Sequence, residues 1–326
     1  MRLRTAPVAI LTSAALIGAL ALAGASSANA APAKEGGKCK KVGATAHTSK
    51  GDLRCTKNGK YLVWVRVMSG SSSGNGSGGG GSSSASGGTN GIASNASIPK
   101  VVENWGLDLA PYDGATGKAG VMQLAGVTPP TFPNPADNEM YSRIVGIYGM
   151  DAKGIKEPQL AFMAPLGTPV ISMVNGTVCD LPTLYSNDFS VRVAPTGVTC
   201  QGGAANVLFE HEHLIDPLVK VGDTVKAGQR IGTVSDFNSN WKSKGMGTIE
   251  TGVFFMKNDN SGRPWHACLS NYLAPSKSAS MLSTLSSIEQ GWMTVRGDSS
   301  LYNLSAQSPV GCLTQDDITD SNSGVK

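Results

Sequence analysis

The chain holds four histidines, His47, His211, His213 and His266. Two of them form the triplet His211-Glu212-His213. On an extended strand, residues two apart share a face, so both imidazoles would reach one ion. His211 and His213 are therefore candidate metal ligands, with Glu210 and Glu212 on the opposite face. A catalytic zinc needs three protein ligands and an open position for water. No C-x-x-C or phosphate-binding loop is present, and no G-x-S-x-G outside the Gly/Ser-rich run. The six cysteines (Cys39, Cys55, Cys179, Cys200, Cys268 and Cys312) read as bridges rather than nucleophiles. Six cysteines allow fifteen pairings; pairing of neighbours in sequence is the simplest.

The elements that must position these groups read as short strands. Val170–Met173, Thr177–Val178, Ser190–Val193, Asn206–Glu210, Gln229–Val234 and Thr248–Met256 are β-branched or alternating runs, separated by Asn-Gly, Gly-Asp and Pro turns. Many short strands suggest a sandwich or barrel. Met281, Leu282, Leu285 and Ile288 fall on one face of a helix expected over Ala279–Gln290. Arg263-Pro264-Trp265-His266-Ala267-Cys268 reads as a loop end tied by a disulfide, and Arg296-Gly297-Asp298 as a chance adhesion tripeptide.

Three segments precede this region. Residues 1–30 carry Arg2 and Arg4, an apolar run and Ala28-Asn29-Ala30, the pattern of a cleaved signal peptide. Residues 31–68 hold nine Lys or Arg against Glu35 and Asp52. Strands around Asp52–Thr56 and Tyr61–Val67, joined at Asn58-Gly59, make this a small β-hairpin module. So small a unit buries little core and would lean on a Cys39–Cys55 bridge. Residues 69–97 are almost entirely Ser, Gly and Asn, a flexible tether spanning about 30 Å. Residues 98–326 form the main domain, with sixteen basic and twenty-one acidic residues. An exported module with a local charge of +7 suits anionic wall polymers, not nucleic acid.

Ala164-Pro165-Leu166-Gly167-Thr168-Pro169-Val170 runs on to Asn175-Gly176-Thr177-Val178. His213-Leu214 is followed by Val219 to Val234, V-K-V-G-D-T-V-K-A-G-Q-R-I-G-T-V. Together, over about residues 157–256, these stretches resemble the core of the LytM/M23 zinc peptidases, which share a β-sandwich-hybrid scaffold with lipoyl and biotinyl domains. The resemblance implies zinc held by an H-x-x-x-D pair and the last His of an H-x-H strand. Here the first pair falls on Glu157 and Ala161, and the H-x-H pair on Thr248 and Glu250. His213 alone matches a catalytic position. Glu157, His213 and Glu250 remain as vestigial candidates around one pocket, where two carboxylates and an imidazole could bind metal or move protons. Met256-Lys257-Asn258 does not reproduce a carrier-lysine turn. The small module loosely resembles Cys-containing modules at the start of secreted bacterial proteins.

The resemblance thus implies a mainly β, sandwich-hybrid or barrel-like M23-type core with added loops and a C-terminal helix. The expected protein is secreted, non-catalytic and possessed of no cofactor, binding peptidoglycan, an anionic wall polymer or an envelope protein, with no membrane span after signal cleavage. A divergent zinc endopeptidase of peptidoglycan and a structural surface or assembly protein are the alternatives.

Overall fold

A computed structural model describes residues 33–34, 37–48, 51–58, 61–66, 95–132, 139–152, 155–201, 205–257 and 263–319. The expected signal peptide and most of the expected tether lie outside the described residues.

The first unit is an antiparallel sheet of β1 (Thr45–Thr48), β2 (Gly51–Asn58) and β3 (Tyr61–Arg66), in that order. Leu53 and Cys55 are buried and Arg54 is exposed, the period-two alternation of a sheet with one covered face. β1 is a strand the sequence pattern did not reveal. The Cys39–Cys55 bridge ties the segment ahead of β1 to β2. Lys34, Lys40, Lys41 and Arg54 are exposed.

The main region is mainly β. Its large sheet holds β4 (Val145–Gly146), β5 (Leu160–Pro165), β6 (Pro169–Ile171), β7 (Gly176–Asp180), β8 (Phe189–Pro195), β9 (Val207–Ile215), β10 (Thr224–Val225), β11 (Arg230–Val234), β12 (Met246–Met256), β13 (Pro264–Ala267) and β14 (Ile318–Thr319). The main path runs β10-β7-β8-β9-β12-β13-β14. β5 adds to the free end of β12, and β11 joins β6 to β9. β12 is buried at ten of its eleven positions, so its Thr248, Glu250 and Thr251 lie inside the protein. Burying such groups costs free energy unless they are hydrogen-bonded, as Thr248 and Glu250 are.

The helix, α2, is longer than its apolar stripe suggests and covers Pro275–Arg296, following a single turn α1 (Ser239–Lys242). Met281, Leu285, Ile288 and Trp292 are buried, while Leu282 is only partly covered. Pro275 opens α2 and Gly297, at φ 63°, closes it. The Arg-Gly-Asp run is thus a helix stop, because glycine accepts the left-handed conformation that ends the helix. The 263–268 segment is not a loop end. Residues 264–267 pair with β12 from Val253↔Ala267 to Met256↔Pro264, and Pro264 is tolerated at the first position of the strand. The remaining bridges are Cys179–Cys200 and Cys268–Cys312, so all three link neighbours in sequence. No helix among the described residues is long and apolar enough to cross a membrane.

Candidate functional site

β9 carries the histidine triplet, but its geometry separates the two rings. In the β8–β9 ladder, Ser190 faces Glu212 and Phe189 faces Leu214, so His213 is the extra residue of a bulge. Its φ is 65°, a conformation that side chains other than glycine adopt sparingly. The bulge re-aims the His213 ring away from the surroundings of His211.

His211 is fully buried, and backbone groups engage both of its nitrogens. Nε2 accepts the Met173 amide at 2.9 Å, and Nδ1 donates to the Val191 carbonyl at 3.2 Å. This fixes one neutral tautomer and leaves no lone pair for a metal. Burial, opposed by the Val191 bond, pushes its pKa down to about 4. The shared-face expectation for His211 and His213 does not hold, although Glu210 and Glu212 do share a face. The Gln159 amide donates to Glu210 at 3.0 Å and to Glu212 at 2.9 Å.

His213 lies between two carboxylates. Its Nδ1 sits 2.9 Å from Asp188 Oδ2, and its Nε2 sits 3.7 Å from Glu250 Oε2. Asp188 is an obligate acceptor when ionised, which assigns a proton to Nδ1. Burial acts to raise the Asp188 carboxyl. It is outweighed by the bond and charge of His213 and by bonds from Ser186 and Ser235, which hold it below the usual range. The Ser186 hydroxyl donates to Asp188. On the far side, the Tyr141 hydroxyl donates to Glu250 Oε1 at 2.7 Å. Burial first, then the charges of Glu250 and Glu157, push the Tyr141 phenol well above its ordinary value. Glu157 is 7% exposed and within electrostatic reach of Tyr141. Glu250 thus meets both Tyr141 and His213, while Glu157 is linked to this group only through its charge on Tyr141.

Aromatic side chains enclose the imidazole. Phe237 stacks on His213 with centroids 3.6 Å apart and planes at 15°, and Tyr185 meets it edge-on at 6.0 Å. The Trp241 indole holds the Tyr141 carbonyl at 2.8 Å. His213, Asp188 and Glu250 are each at most 1% exposed. Asp188, Tyr141, Ser186 and Phe237 were not legible in the sequence. Asp188 sits in an Asn-Asp pair before β8 that looks like any turn.

The donor set does not fit zinc. Ala161 offers no donor atom and faces Glu250 in register across β5 and β12. The Thr248 hydroxyl is buried and donates to Met163 Sδ at 3.3 Å. Among the described residues, no group of three or more His, Cys, Asp or Glu side chains is placed to hold a metal. The pair His213–Glu250 supplies two ligands where zinc requires three. What the arrangement can do is hold protons in two hydrogen-bonded sets, Ser186–Asp188–His213 and Tyr141–Glu250, which face each other across 3.7 Å.

No family model and no curated protein matches the chain. Solved structures overlap it in part. Lysostaphin, the antimicrobial peptidase from Staphylococcus simulans, is 23% identical over 36% of this chain and 44% of its own, with a TM-score of 0.27. The catalytic domain of the prophage-encoded M23 protein EnpA from Enterococcus faecalis is 21% identical over 40% of this chain and 89% of its own, at 0.27. LytU is 21% identical over 42% of this chain and 88% of its own, at 0.29. The chain spans under half the length of lysostaphin.

Proposed function

We propose that this chain is a secreted, non-catalytic LytM-like protein of the cell envelope that binds peptidoglycan or a wall-associated partner. The observation that carries the non-catalytic part is the enclosure of His213. The imidazole at the catalytic-like position is fully buried, stacked under Phe237 and paired on both sides with carboxylates. A general base must reach substrate or a metal-bound water to act. Three structural disulfides support an oxidising, extracytoplasmic setting. The exposed Lys34, Lys40, Lys41 and Arg54 of the small module would add salt-dependent attraction to anionic wall polymers.

A divergent zinc endopeptidase is the second reading. His213 Nε2 and Glu250 Oε2, 3.7 Å apart, are the two donors such a site would retain, and it would need a third. Elemental analysis after native purification, with sedimentation on isolated cell walls, tests both. Less than a tenth of a zinc per chain and co-sedimentation with walls are expected. Stoichiometric zinc with chelator-sensitive wall hydrolysis would overturn the non-catalytic reading. Protein that stays in the supernatant would overturn wall binding.

A further inference from the structure

Glu289 is a buried acid that the site around His213 does not use. It lies on the core-facing side of α2, fully buried, one turn from Leu285 and Trp292. Its Oε2 accepts the Gln307 amide at 2.6 Å, while its Oε1 has no hydrogen-bond partner among the described residues. The other end of the Gln307 amide accepts the Gly311 N–H, also at 2.6 Å. Gly311 and Cys312 form the turn that docks the C-terminal segment. The Tyr148 amide donates to the Gly311 carbonyl at 3.1 Å, the Leu313 amide donates to the Tyr148 carbonyl at 2.9 Å, and Cys312 is bridged to Cys268. One carboxyl, one amide side chain and one turn are thus joined in series.

The charged and titratable neighbours are few. Across from α2, Tyr302 donates its hydroxyl to the Val145 carbonyl at 2.8 Å and stays protonated, pushed up by burial and by Glu289. Arg143 lies 5.8 Å over the Tyr302 ring and is paired with Glu139 at 3.0 Å. On α2 itself, Arg296 lies over the Trp292 ring at 5.8 Å. None of these donates a hydrogen bond to the free oxygen of Glu289. Burial raises the Glu289 carboxyl and outweighs the opposing Gln307 bond, so its pKa is pushed up to about 7.

We propose that Glu289 is a pH-sensitive latch: protonated, it lets residues 302–312 close over α2, and ionised, it drives that segment open to admit water to Oε1. The bond from Gln307 survives ionisation. The bare Oε1 is the part that has to be solvated, and the segment bonded to Glu289 through Gln307 is the part that moves. The Cys268–Cys312 bridge keeps the opened turn tethered, which makes the change local and reversible.

Amide-exchange protection of Gly311 and Cys312, measured in the full chain from pH 5.5 to 8.5 and normalised to intrinsic rates, tests this. A fall of at least tenfold is expected at these two amides, with constant protection at Phe209 in β9. Glu289→Gln keeps the shape without the charge and is expected to abolish the fall. Protection that does not change with pH, or that falls equally in Glu289→Gln, would overturn the latch. Should that variant fold poorly, carboxyl carbon-13 NMR of the unaltered protein decides. Titration of Glu289 near neutrality supports the latch, and titration in the ordinary carboxylate range overturns it.

Discussion

His213 Nδ1 lies 2.9 Å from Asp188 Oδ2, and a bulge in β9 is what puts it there. Without the extra residue, the ring would follow the period-two alternation of the strand. The pair belongs to the folded state only, so it links pH to stability. Asp188 is held below its usual range in the fold. Its contribution is fully present above the unfolded value near 3.8 and is lost as pH falls through the lower folded value. Asp188→Asn is expected to cost about 1–3 kcal/mol at pH 7, the range for a buried partner left without its charge-assisted bond. Urea midpoints of the two proteins should draw together as pH falls below the unfolded value near 3.8 and meet only below the lower folded value. A gap as wide at pH 3 as at pH 7 would show that the pair contributes nothing through its charge.

The ladder between β5 and β12 offers a constructive test of the scaffold resemblance. Ala161 and Glu250 stand directly opposite each other. Facing residues in an antiparallel pair have Cβ atoms about 4.5–5.5 Å apart, close enough for two side chains to share one ion. Glu157→His, Ala161→Asp and Glu250→His together would restore the ligand set that the resemblance implies. The triple variant is expected to bind one zinc per chain by elemental analysis, under conditions where the parent protein binds none. A variant that keeps its circular dichroism but takes up no zinc would count against the likeness to the zinc peptidases.

Much of the sheet was legible because its strands carry β-branched runs between glycine turns. Val170, Val191, Val193 and Ile231 are all buried where the alternation put them. Leu160–Pro165 was missed because it is a continuous apolar run, which periodicity alone does not distinguish from a buried helix. The site was legible only in part. His213, Glu157 and Glu250 came from the spacing of a known scaffold. Asp188, Tyr141 and Phe237 enter by tertiary contact across 25, 109 and 24 residues of sequence, which no local pattern encodes. The bulge was invisible for the same reason: a one-residue mismatch belongs to two strands at once.

Gly176, in the Asn-Gly-Thr-Val run, is required by close packing rather than by turn geometry. A Cβ there would lie 2.0 Å from the Ala194 carbonyl oxygen on the neighbouring strand. The nearest obstacle is the Ala194 backbone itself, which cannot rotate aside as a flexible side chain could. Gly176→Ala is expected to destabilise the fold by about 1–3 kcal/mol, the usual cost of overpacking. Chemical denaturation measures it, and an unchanged midpoint would mean that β7 and β8 separate more readily than their register suggests.

The two bridges of the main region differ in the loop each closes, and that sets the order of their contributions. Cys268–Cys312 encloses α2 with a sequence separation of 44, whereas Cys179–Cys200 spans 21. In the chain-entropy view, a cross-link stabilises by restricting the unfolded chain, and the restriction grows with the logarithm of the loop. That gives about 4 kcal/mol for the longer loop and about 3 kcal/mol for the shorter. The paired change Cys268→Ser with Cys312→Ser should therefore cost more than Cys179→Ser with Cys200→Ser, by about 0.7 kcal/mol from loop length alone. The gap should widen further because Cys312 also anchors the turn that pairs with Tyr148. Urea unfolding of the two double variants compares them directly. If losing Cys179–Cys200 proves the more damaging, the packing of that bridge against Leu208 and Phe254 outweighs loop entropy.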